Sequence, residues 1–170
     1  MANCVNSIEG LVQRRIQMLS YIQDRFGKDV SVTINNYLKK VGNEQVHGMF
    51  RNMSFTLSTI GEPGVEYHEA FHGFFTMYLT FEQREGLYKE AAERYGEPTK
   101  EELDSVRQSL SEEGKFRNDR AYYPYGFHRE ETIRDLALEE KMANAFQEYS
   151  LTENPKSIPA KIAKFFKDLW

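Results

Sequence analysis

Cysteine is nearly missing from this chain, which has one in 170 residues, and histidine is scarce, with four. A lone Cys4 permits no internal disulfide, and its expected role is an inert terminal thiol. No stretch approaches the ~20 consecutive apolar residues of a membrane span. The opening Met1-Ala2-Asn3-Cys4-Val5-Asn6 lacks the charged-then-apolar pattern of a signal peptide. A cytoplasmic protein is therefore expected, and virion association is compatible with the same features. A basic run is missing too. The 22 Lys and Arg are mixed along the chain with 26 Asp and Glu, for a net charge of −4. With no nucleic-acid motif either, this argues against nucleic acid as the main partner. There is no internal repeat and no low-complexity tract. The length fits a single domain over residues 1–170, one able to bury roughly 70% of its unfolded surface.

Against these absences stands one concentrated feature. Two of the four histidines fall in His68-Glu69-Ala70-Phe71-His72, an H-E-x-x-H pattern within an apolar stretch of helical periodicity. Residues at i and i+4 lie on one helix face, a turn apart, so two imidazoles there can reach one metal ion. Glu69 projects nearby without having to be a ligand and can act as a base toward water. Zinc lowers the pKa of bound water toward ~7, and this set of residues forms the metal half of a zinc peptidase. By chance the pattern should arise on the order of once in a few hundred such chains. The bland alternative is a pair of core histidines bonded to backbone. The longer pattern that continues with Gly and a third His is excluded, because Phe75 and Tyr78 occupy those positions.

A catalytic zinc site needs a third protein ligand and an open position. Residues 130–149 read as one helix. Glu140 sits within a stripe of Ile133, Leu136, Ala137, Ala143 and Asn144. A carboxylate on such a stripe is costly unless paired or bound to metal, and Asn144 is placed to orient it. Glu139 points about 100° away, where a solvated helix charge is the ordinary expectation. The order of candidates is Glu140, then Glu139, then His128.

Taken together, His68-Glu69-Ala70-Phe71-His72 and the later Glu140-x-x-Ala143-Asn144-x-Phe146 resemble the minimal gluzincin-type metallopeptidases. These include ImmA/IrrE-like proteins and the zincin domains of bacteriophage and mobile-element polyvalent proteins. The resemblance implies a zincin-like domain with a Zn2+ cofactor, His68, His72 and Glu140 as ligands, and Glu69 as general base. It also implies a protein or peptide substrate.

The remaining elements follow from periodicity and capping. Residues 7–26 carry Ile8, Leu11, Val12, Ile16, Leu19, Ile22 and Phe26 at helical spacing, and Gly27 ends the run. This helix is expected to pack on a sheet. Val30, Val32 and Ile34 alternate as in a strand, and Tyr37 to Lys40 suggests a short helical turn. Gln45–Arg51 and Met53–Ser58 read as two strands, with Phe50, Phe55 and Leu57 toward the core. If the resemblance holds, the second of these or its neighbour is a sheet edge to which a substrate can pair; an ordinary hairpin is the alternative. His47 reads as a surface strand residue. The motif helix is expected to bury Phe71, Phe74, Phe75, Tyr78 and Leu79.

Thr80 with Gln83, and Thr99 with Glu102, form capping boxes for two charged helices within residues 80–114. These read as an insertion or cover without chemistry. Tyr125 and His128, in an aromatic loop, are candidate substrate or oxyanion contacts, or a loop pinned by aromatic packing. Residues 157–170 suggest a short C-terminal amphipathic helix.

The expected fold is α+β: a small, mostly antiparallel sheet, an N-terminal helix, the H-E-x-x-H helix and further C-terminal helices. The expected function is zinc-dependent endopeptidase activity. The alternative is a non-catalytic or regulatory module of the same fold that binds a protein partner.

Overall fold

The N-terminal periodicity produces α1, Ile8–Phe26, the first of five helices among the described residues of a small α+β fold. The computed structural model describes residues 8–35, 40–41, 44–45, 48–51, 54–60, 62–113 and 130–152. After α1 come the strands β1 (Ser31–Asn35), β2 (Lys40–Val41), β3 (Glu44–Gln45), β4 (Gly48–Arg51) and β5 (Ser54–Ser58). The helices α2 (Val65–Tyr78), α3 (Phe81–Tyr95), α4 (Lys100–Glu113) and α5 (Glu130–Thr152) follow. None of the described helices is long and apolar enough to cross a membrane.

The main sheet has the order β1-β5-β4. β4 and β5 pair antiparallel, with Phe50 opposite Phe55. β1 and β5 pair in parallel, with Val32 opposite Phe55 and Ile34 opposite Leu57. The expectation of a mostly antiparallel sheet is therefore corrected to a mixed one. Alternation in Val32 and Ile34 marks a strand but says nothing of its partner's direction. Lys40–Val41 forms a strand paired with Glu44–Gln45, so the short turn expected over Tyr37 to Lys40 does not include Lys40, and positions 37–39 lie outside the described residues.

α2 is apolar on several sides, as suits a helix with packing partners around it. One face meets α1 and β5: Val65 and Ala70 cluster with Met18, Ile22, Phe55 and Leu57. Another meets α3 and α5: Phe71, Phe74 and Phe75 cluster with Ala91, Leu138, Met142, Ala143 and Phe146. Gly73 allows the first contact, since a Cβ there would stand 2.4 Å from Cζ of Phe55. Tyr78, expected in the buried face, is exposed at the helix end and stacks on Phe74.

On α1 the buried face differs from the expected stripe. Met18 and Ile22 are fully buried, whereas Val12, Ile16 and Leu19 are exposed. The inward line includes Arg14, which grips Glu66 in the first turn of α2 with two bonds of 3.1 and 2.9 Å. Beside it Tyr21 and Tyr67 meet edge to face at 4.6 Å. Polar as well as apolar contacts thus lock α1 to the helix that carries the motif.

α3 and α4 begin as their capping residues predict. Thr80 and Gln83 exchange side-chain and backbone bonds, as do Thr99 and Glu102. Both helices lie against α5, with the ion pairs Glu97–Arg134 and Glu102–Lys141 at their borders.

Candidate metal centre

Three elements meet at the site. α2 supplies His68, Glu69 and His72, α5 supplies Glu139 and Glu140, and β4 passes alongside. The helical offset of four residues turns the two imidazoles together, and their Nε2 atoms lie 3.1 Å apart. Glu140 reaches both rings. Its Oε2 is 3.3 Å from His68 Nε2, and its Oε1 is 3.4 Å from His72 Nε2. Among the described residues, His68, His72 and Glu140 are the group able to share one metal ion. Bond lengths of ~2.0–2.2 Å at tetrahedral angles put zinc ligands about 3.3 Å apart. The spacing and the two-nitrogen, one-carboxylate donor set both fit such an ion.

The two adjacent glutamates have unequal surroundings, and in the reverse of the expected order. The Glu139 side chain is 4% exposed and the Glu140 side chain 51%. Glu139 is no solvated helix charge. Its Oε1 lies 2.8 Å from Nδ1 of His72, and its Oε2 accepts a 3.3 Å bond from the Tyr88 hydroxyl on α3. A carboxylate that receives the Nδ1 hydrogen leaves Nε2 as the ligating nitrogen, the usual arrangement around metal-bound histidine. Glu140 stands at the rim, where an ion would stay open to solvent on one side. Asn144, expected to orient Glu140, is exposed. The orienting carboxylate is Glu139, and the residue it orients is a histidine.

Glu69 is buried. Burial holds its carboxyl above the usual carboxylate range, against the pull of the His72 and His68 rings and a bond from the Phe50 backbone N–H. A raised carboxylate is suited to taking and returning a proton near neutral pH. Burial would favour a neutral His72. The Glu140 and Glu139 carboxylates nevertheless hold its proton affinity well above that of an ordinary imidazole. Packing around the Glu140 carboxylate would raise it, but His72 and His68 hold it well below the usual range.

The route of β4 past Glu69 depends on Gly48. A Cβ there would lie 2.6 Å from Cγ of Glu69 and 2.7 Å from Cγ2 of Val65. Gly48 and Tyr88 carry no role in the sequence reading, and Glu139 figures there as the second candidate for third ligand, not as the partner of His72. A glycine inside a strand does signal close approach of another group, and that signal was present. Nothing local to Tyr88 announces its contact. His128, Tyr125 and His47 lie outside the described residues, as does the segment 157–170. A cleft of about 670 Å³ between α3 and α5 shares Tyr88 with this neighbourhood but contains none of the three clustered residues.

No known protein family, characterised protein or solved structure matches the chain.

Proposed function

We propose that this chain is a zinc-dependent endopeptidase of zincin-like architecture, with a peptide segment of a protein as substrate. The observation that carries the reading is the convergence of His68, His72 and Glu140 at 3.1–3.4 Å with the buried Glu69 next in sequence to one of them. His68 and His72 would hold the ion from α2, and Glu140 from α5. When bound there, zinc supplies Lewis acidity, polarising a carbonyl and acidifying water. Glu69 takes the proton of the attacking water and delivers it to the departing amine. Glu139 keeps the His72 ring turned toward the ligand pair. Among the described residues β4 is paired on one side only, by β5, and its other edge is the candidate for pairing with an extended peptide. Of the two strands considered for that role, β5 is the central one and β4 the candidate. Glu139, engaged with Nδ1 of His72, is not placed to close the coordination shell as a fourth ligand, which favours the enzyme over a structural ion closed by that residue.

The test combines metal analysis with a peptide-library screen. One zinc per chain is expected. Glu69→Gln should retain it while cleavage of any identified substrate falls by roughly 10²–10⁴-fold. A folded wild type that neither holds nor takes up zinc would sink the proposal. So would a Glu69→Gln variant that cleaves at the wild-type rate.

A further inference from the structure

We propose that Tyr88, on the helix read from sequence as a mere cover, is a positioning residue of the metal centre, acting through Glu139 on His72. The inference rests on the zinc reading of the site. The chain of contacts is short and crosses three helices: the Tyr88 hydroxyl donates to Glu139 Oε2 at 3.3 Å, and Glu139 Oε1 meets His72 Nδ1 at 2.8 Å. An ionised carboxylate can only accept, so Nδ1 keeps its hydrogen and Nε2 is the nitrogen that faces His68 and Glu140.

Both oxygens of Glu139 are engaged, one on each side. Fixing one oxygen alone would let the carboxylate pivot about that contact and carry the imidazole with it. The Tyr88 hydroxyl holds the second oxygen and so sets the plane of the group. Glu139 is enclosed by protein, so a second oxygen without a donor would be costly. Tyr88 takes its own direction from elsewhere: its ring packs against Phe75 of α2 with centroids 5.4 Å apart. That packing survives in Tyr88→Phe, which removes the hydroxyl alone.

The experiment is a double-mutant cycle on zinc affinity, read by competition with a chromophoric chelator. It compares wild type, Tyr88→Phe, Glu139→Gln and the double variant. Glu139→Gln is expected to weaken zinc binding by roughly 10–100-fold. Tyr88→Phe should weaken it by roughly threefold to tenfold, the usual worth of one hydrogen bond. The double variant should cost less than the sum of the two single changes, because the hydroxyl reaches His72 only through the side chain at position 139. In the zinc-loaded protein, the exchangeable Nδ1 proton of His72 should also shift in Tyr88→Phe, which loss of general packing would not produce. Wild-type affinity in Tyr88→Phe would overturn the proposal, as would costs that simply add in the double variant. A wild type that binds no zinc overturns the metal reading and this proposal with it. Normal wild-type binding with an unaffected Tyr88→Phe overturns the role of Tyr88 alone.

Discussion

The backbone of Gly48 lies against the side chain of Glu69 so closely that a single methyl group at position 48 would stand 2.7 Å from Oε1. The strand above the site therefore fixes where the Glu69 carboxyl can sit, and the Phe50 N–H two residues on holds it there. Gly48→Ala should push Glu69 aside while leaving His68, His72 and Glu140 in place. A displacement of the order of 1 Å can cost about a hundredfold in rate. The expected variant holds zinc normally and cleaves about a hundredfold more slowly. Metal content and kcat on the same preparation check this, and a variant that loses both metal and fold would contradict it.

Removal of the ion should be visible in stability as well as activity. Zinc at 100 times its Kd would stabilise the folded chain by about 2.7 kcal/mol. Thermal unfolding with zinc and with a chelator should separate by the corresponding shift in wild type. The separation should vanish in His68→Ala and His72→Ala and shrink in Glu140→Gln. A shift of equal size in His68→Ala would place the ion elsewhere.

Arg14 and Glu66 form a two-pronged pair between α1 and the motif helix, with side chains 20% and 6% exposed. Removing one partner leaves a charge stranded in a site built for two, at a cost of about 3 kcal/mol. Arg14→Met should therefore destabilise strongly. Arg14→Met combined with Glu66→Gln should recover much of the loss, because the stranded charge is gone. Urea unfolding of the three proteins checks the sign. A double variant less stable than Arg14→Met would mean that the pair contributes more than the cost of burying it.

Thr80 offers a control distant from the chemistry. Its side chain accepts from the Gln83 backbone N–H, and the Gln83 side chain returns the bond. Thr80→Ala should lower stability by about 1 kcal/mol with zinc stoichiometry unchanged. Loss of metal in this variant would show that α3 influences the site more broadly than through Tyr88.

The parts of this arrangement legible in sequence are those set by local rules. The spacing of His68 and His72, the boxes at Thr80 and Thr99 and the long helix carrying Glu140 depend on residues within a turn or two of one another. The parts that were not legible depend on what packs opposite. Glu139 and Glu140 are neighbours in sequence, but α2 and α3 close over one and leave the other at the rim. Val12, Ile16 and Leu19 look like a buried stripe, yet the sheet and α2 meet α1 through Met18, Ile22 and Arg14 instead. The parallel pairing of β1 with β5 is a relation between distant segments, and alternation within either strand does not encode it.

His72 and Glu139 are 67 positions apart in the chain. Their meeting closes a long loop, and the entropy of such closure must be met before any contact inside the site contributes. An ion held by His68, His72 and Glu140 therefore acts as a removable cross-link between two distant stretches of chain. Unlike a disulfide, it would be held by the folded state alone and released on unfolding. The same three side chains that would hold the ion would also tie the two halves of the centre together, so that a chain deprived of metal would loosen first at the junction of α2 and α5.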